Sequence, residues 1–397
     1  MSESTRDFLQ RWRRALWSAA LGASAYLASL ALRAAPGFTE RVYARGIGPV
    51  LIEPLSRLSG LLPFALGEWL TALYVGALMV MGARGVSGVL SGRQRLVTAL
   101  GEGMRRALVH VGVLAAGFYL LWGFNYARAP LAQRLAWPAW QGAEVDEVEA
   151  LAIEALEAAN AAYRTLHGSD DAGVPTPFPE PDERLRSALQ KGWVVAADRL
   201  DLGPQFDRVY GRPKRPLSSG VLARFGIAGM FFPFTAEANL IRGLPAVSAA
   251  HSMAHEQAHQ RGVANEAEAS FLGFVAGSAS LDPLLRYSCA VFAARQLLGV
   301  LAQADRERFD MVTARWLPGV RRDLGDAAAF WARYRGVGTR IGSAVNDRYL
   351  RANRVPGGIR SYGMSVILLI DYARQSGGGL FGPGSAHSAD GVPGQAR

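Results

Sequence analysis

Three of the six histidines, His251, His255 and His259, fall within nine residues. His255 and His259 are four apart, so a helix would stack them one turn apart on one face. Glu256 stands beside His255, completing the pattern His-Glu-x-x-His. Two imidazoles at that spacing can converge on one tetrahedral ion, and the glutamate can reach a water that the ion binds. Zinc would lower the pKa of that water to about 7, and Glu256 would take its proton as the water attacks a carbonyl. His251 is two turns from His259, about 12 Å along a helix axis, too far to share the ion. A supporting role is expected for it.

A third ligand is needed. Gly262 can end the helix in a left-handed conformation. Asn265 can cap a new helix, with Glu266 in its first turn and Glu268 placed three residues after the cap. The chain would thus turn back quickly and bring a carboxylate to the metal. His255 to Asn265 follows the metzincin spacing HExxHxxGxx, with Asn265 where those enzymes place a histidine. Glu266-Ala-Glu-Ala-Ser270 is similar to the Glu-x-x-Ala-Asp helix of membrane-anchored gluzincins, whose first glutamate binds zinc. Both comparisons point to Glu266. Glu268 is the alternative ligand, and a capping box is its plainer role.

The elements that must hold these residues begin with a membrane domain. Ala15 to Leu32 has no charge over eighteen residues, Leu58 to Ala83 carries one charge, Glu68, and Ala107 to Ala127 carries none. A helix needs about 20 residues to cross the hydrocarbon. Three such runs with arginines at their ends read as three transmembrane helices. The first has the basic start of a signal peptide, but its length and the two later runs favour an anchor. Arginines cluster in the N-terminal tail and between the second and third runs, which puts the N-terminus in the cytoplasm and everything after Arg128 outside it.

Beyond Arg128, Asp146 to His167 and Glu183 to Leu200 have helical periods. Phe225 to Leu240 has none and reads as extended. Leu284 to Ala302 is apolar but holds Arg286 and Arg295, which favours a buried or interfacial helix over a fourth span. Gln375 to Arg397 has little to bury and is expected to be disordered. The predicted organisation is a cytoplasmic tail (1–14), a membrane domain (15–128), an extracytoplasmic domain (129–374) and a disordered tail (375–397). The fold class is mainly α: three N-terminal transmembrane helices, then a mostly helical zincin-like metallopeptidase domain with a small β element.

The net charge is +10, yet many arginines flank the apolar runs, and no zinc-finger, RNA-binding or phosphate-loop pattern is present, so no nucleic-acid partner is expected. The single cysteine, Cys289, excludes an internal disulfide.

Several stretches together carry a resemblance. Trp122-Gly-Phe-Asn-Tyr126 closes the third apolar run. Gly229-Met-Phe-Phe-Pro-Phe-Thr-Ala-Glu-Ala-Asn239 precedes the histidines. His255 to Gly262, Glu266 to Phe271, Asn346 to Leu350 and Ser361 to Gly363 follow. In order and spacing the chain resembles, from about residue 15 to 373, a bacterial membrane family catalogued as domain of unknown function 3810. Ser270 and Met364 depart locally from its usual residues. The resemblance implies a zincin-like HExxH metallopeptidase group in the bacterial inner membrane.

The expected site is therefore His255, His259 and Glu266 (or Glu268) on Zn2+, with Glu256 as general base and later proton donor. The expected partners are a peptide or protein of the cell envelope and the lipid bilayer. Met230 to Thr235 is a candidate strand for pairing with an extended substrate. Tyr349 and Tyr362 are candidate donors to an oxyanion. Rival readings are an intramembrane protease, a non-catalytic metal-binding scaffold or sensor, and hydrolysis of a cell-wall or lipid amide or ester.

Overall fold

A computed structural model describes residues 3–179, 183–355 and 358–381. The chain divides into two units: residues 1–129 with 232–237, and residues 130–231 with 238–397.

The first unit is helical. Helix α1 (Glu3–Arg33), α2 (Gly48–Gly60), α3 (Leu66–Leu90) and α4 (Leu96–Leu121) are its main elements. By length and composition α1, α3 and α4 can each cross a membrane. Little of their apolar surface is buried, from 0 to 17% of the most apolar stretch of each. Helices α1 and α4 pack together, and Gly112 lies so close to the Ser18 carbonyl that a Cβ would not fit. Small residues at a crossing are how helices approach where lipid offers no hydrophobic drive.

The sequence boundaries shift here. The first helix begins at Glu3, well before Ala15, because the basic start has no residue that breaks it. The Leu58–Ala83 run is split: α2 ends at Gly60 and α3 starts at Leu66 and continues to Leu90. Pro63 forces the break, since it restricts the residue before it to extended conformations. The third helix spans Leu96–Leu121 and tightens into a 3-10 turn at Gly123–Ala127. The α3 N-terminus is closed by Glu237, whose carboxylate accepts from the N–H groups of Leu66 at 2.9 Å and Gly67 at 2.7 Å. A carboxylate there answers both the unpaired donors and the helix dipole.

The second unit holds α5 (Val145–His167), α6 (Glu183–Arg199), α7 (Ser219–Arg224), the strands β1 (Gly229–Phe232) and β2 (Glu237–Leu240), α8 (Ala246–Gln260), α9 (Glu266–Ser278), α10 (Pro283–Ala304), α11 (Pro318–Ala332), α12 (Val337–Ala352) and α13 (Ser365–Gln375). Phe232 and Glu237, at the inner ends of the two strands, belong to the first unit. On α5, Val148, Leu151, Ala155, Ala159 and Tyr163 form a buried stripe at helical spacing, and it packs along α10. Asp282 caps α10 through Leu284 and Leu285 N–H, with Pro283 in the first turn. Although α10 is long and apolar enough to span, 67% of its apolar window is buried. Arg295 remains exposed. It is the core helix of its unit.

The extended segment resolves into a hairpin. Pro233 lies in the turn between β1 and β2, and Ala236 takes a left-handed conformation (φ 52°). Asn239 of β2 also bridges Lys214 in parallel. The C-terminal expectation is corrected in part. Leu380 is buried, its N–H donates to Glu154, and the Phe381 ring meets Phe274, so the chain is packed through Phe381. The rest of the expected disordered tail lies outside the described residues.

Candidate metal centre

Helix α8 carries the histidines and ends in a specific turn. The Gly262 N–H donates to the His259 carbonyl and the Val263 N–H to the Ala258 carbonyl, with Gly262 at φ 83°. This is a Schellman termination, which requires a residue that tolerates the left-handed region. It reverses the chain and aims the Val263 carbonyl back at His259, whose Nδ1 lies 2.6 Å from it. Asn265 then caps α9, its Oδ1 accepting from the N–H groups of Ala267 and Glu268. Helices α8 and α9 pack side by side, with Gly273 of α9 against the backbone of His255, where a Cβ would sit 2.9 Å from the amide nitrogen.

That arrangement gathers His255, His259 and Glu266. Their ligating atoms all lie within 4.8 Å of one another. The two Nε2 atoms are 3.1 Å apart, and Glu266 Oε2 is 3.1 Å from His255 Nε2 and 3.4 Å from that of His259. All three residues are nearly fully buried. Around a tetrahedral zinc with bonds of about 2.0–2.2 Å, neighbouring donor atoms lie about 3.3–3.6 Å apart, close to these spacings.

The tautomers support the same fit. A carbonyl can only accept, so His259 Nδ1 carries a hydrogen toward Val263, and in the neutral imidazole the lone pair is on Nε2. His255 Nδ1 lies 3.0 Å from Ser270 Oγ. With both outer nitrogens engaged, the inner ones face each other and a carboxylate. A cation between them, a metal ion or a proton, relieves that opposition. Hydrogen bonds of this kind orient metal-binding imidazoles and raise their basicity.

The electrostatics of the metal-free cluster follow. Burial opposes the charged form of His259, but the Glu266 carboxylate outweighs it and lifts the imidazole to about 9. Burial would raise Glu266, yet His259 and His255 hold it well below the usual carboxylate range. Glu256 is raised by burial against the pull of both histidines. One of its oxygens, Oε2, is buried and makes no hydrogen bond with the described residues. Strand β1 lies against this carboxylate: the Phe231 backbone N–H donates to it, and a Cβ at Gly229 would come within 2.5 Å of Oε1.

Glu268 is placed elsewhere. Its carboxylate accepts from Leu131 N–H at 2.7 Å and pairs with Arg134 at 3.0 Å. It neither joins the gathered cluster nor completes a capping box with Asn265. His251 also stands apart, as its distance along the helix requires. Its Nε2 lies 3.0 Å from the Ser270 carbonyl, its ring stacks on Phe292, and burial lowers its pKa to about 3. Of the Met230 to Thr235 segment, Met230 to Phe232 is strand and the remainder enters the turn. Tyr349 is exposed on α12, and the side chain of Tyr362 lies outside the described residues.

Sequence reasoning did not assign roles to Ser270, the Val263 carbonyl or Gly229. Ser270 was legible in principle, being four residues after Glu266 and so on the same face of α9. The Val263 carbonyl follows from the Schellman turn that Gly262 signals. Gly229 gives no signal without the hairpin.

The fold and site together define a mainly helical protein with several helices apolar enough to span a membrane and a buried two-histidine, one-glutamate cluster. Residues 43–370 match the family described as "Protein of unknown function (DUF3810)", and the chain belongs to that family. Searches of curated proteins and of solved structures gave no match.

Proposed function

We propose that this chain is a membrane-anchored, zinc-dependent hydrolase that cleaves peptide bonds in proteins or peptides of the cell envelope. One observation carries the reading. Two imidazoles and a carboxylate converge with the outer imidazole nitrogens engaged, and Glu256, next in sequence to His255, keeps an oxygen with no hydrogen-bond partner among the described residues. His255, His259 and Glu266 would hold the ion. Zinc supplies an acidified water and a polarised carbonyl when bound.

The chain's own residues do the rest. Glu256 is a buried carboxylate whose basicity is raised by desolvation, which suits it to accept a proton and return it to the leaving amine. Gly229 leaves room for that carboxylate, and the Phe231 N–H holds it in place. Extended β1 beside Glu256 suits pairing with an extended peptide. Helix α8 has 15 residues, short of the roughly 20 needed to cross a bilayer, which argues against an intramembrane protease. The arginine distribution supports an N-terminus in the cytoplasm and a hydrolytic domain outside the inner membrane.

The test is turnover of a peptide library by detergent-purified full-length protein, wild type against Glu256→Gln. The variant should keep its metal and lose about 10²–10⁴-fold in rate. A fully active Glu256→Gln would refute the assigned base. Metal-loaded wild type that cleaves no peptide would refute the peptidase reading, and metal retention without any turnover would favour a sensor.

A further inference from the structure

Helix α12 is built inside out. Its inward positions are Gly338 and Gly342, set so close to the backbone of Arg224 and Phe225 that a Cβ on either would lie 2.6 Å or less from a carbonyl oxygen. Three of its four Val, Ile and Leu residues face outward, Val337 being 62% exposed, Ile341 49% and Val345 62%, while Leu350 near its end is buried. The exposed positions recur every four residues, so they form one stripe. Helix α7 and its flanks, which meet α12 at those glycines, add exposed Leu217, Val221 and Phe225. Arg224, Arg340 and Arg348 are exposed around the same face.

An exposed apolar stripe edged by arginine marks a surface that something covers. Aliphatic side chains ringed by guanidinium groups match the acyl and headgroup layers of an anionic bilayer. The first unit already carries helices able to span such a bilayer. We propose that the α7–α12 face is an interfacial membrane-docking surface that seats on anionic lipid. This rests on the proposed membrane anchoring. It adds a consequence for substrate: α7 leads through Phe225 and Ile227 directly into β1, the strand against Glu256, so the hydrolysed bond would be one presented at the lipid surface.

The experiment uses full-length protein in nanodiscs of phosphatidylcholine with or without phosphatidylglycerol. Single cysteines are introduced as Ile341→Cys and Val345→Cys, with Arg306→Cys as an exposed control on the same unit and Leu73→Cys and Val113→Cys on the spanning helices. Each is labelled with an environment-sensitive fluorophore; native Cys289 is buried and stays unlabelled. The expected result is blue-shifted emission and quenching by nitroxide lipid at 341 and 345, stronger with phosphatidylglycerol and weakened by Arg340→Gln with Arg348→Gln. Position 306 should answer only to aqueous iodide. If 73 and 113 are quenched by lipid while 341 and 345 behave like 306, the docking proposal is overturned and the anchoring stands. If 73 and 113 also fail, the anchoring reading falls first. Shielding from iodide without lipid quenching would mean a protein partner covers the face, and would equally overturn the proposal.

Discussion

Two helical regions of the second unit reverse the usual distribution of side chains, in opposite senses. Where α8 meets α9, polar and ionisable groups are buried: His251, Glu256, His259, Glu266 and Glu268 are each under a tenth exposed. On α12 Val337, Ile341 and Val345 are turned outward while Gly338 and Gly342 face inward. Burying charge costs stability unless each group is partnered, and exposing aliphatic surface forfeits the hydrophobic gain. Neither arrangement is what folding alone would select. The first is tolerated because His251, His255, His259 and Glu268 each have hydrogen-bond partners in the chain, while Glu256 Oε2 has none among the described residues. The second has no partner within the described chain, which is why it points to a surface outside it.

The comparison can be broken most strongly with single charges. Glu268→Ala would strand the Leu131 N–H and the nearly buried Arg134 guanidinium. A loss of about 3 kcal/mol is expected, read from denaturant unfolding. Arg348→Ala on the exposed face of α12 should stay within about 0.5 kcal/mol. Equal effects at the two positions would undo the contrast. A smaller change tests the support of the ligands: Ser270→Ala removes the partner of His255 Nδ1 and should weaken zinc binding about 10–100-fold in a chelator competition. An unchanged affinity would mean that the imidazole is oriented by packing alone.

The smallest effect concerns pH in metal-free protein. His259 is raised from 6.5 to about 9, so its contribution is complete below about 6.5 and is lost as pH rises through about 9. Glu266 is depressed from 4.5, so its contribution is present above that value and lost on acidification. Thermal melts of metal-free protein should therefore decline between pH 7 and about 9. Saturating zinc, which replaces the proton, should flatten that decline, and Glu266→Gln should remove it. A decline that zinc leaves untouched would place the titration elsewhere.

What could be read beforehand follows the range of the forces involved. Helical spacing, the Gly262 stop and the Asn265 cap are local, so the α8–α9 turn and the approach of Glu266 to the two histidines were legible from a dozen residues. The role of Glu268 was not, because Leu131 and Arg134 lie far away in sequence and only the fold brings them close. The split at Pro63 was signalled by the proline but masked by apolar residues on both sides of it. The outward stripe of α12 was invisible for a related reason. Periodicity shows that one face is apolar, while the direction it faces depends on where Gly338 and Gly342 can approach another backbone.

The most direct test of the central claim is metal content by plasma mass spectrometry on detergent-purified wild type, His259→Ala, Glu266→Gln and Glu268→Gln. About one zinc per chain is expected in wild type and in Glu268→Gln, and little in the other two. No stoichiometric metal in wild type, or retention in Glu266→Gln with loss in Glu268→Gln, would contradict that claim.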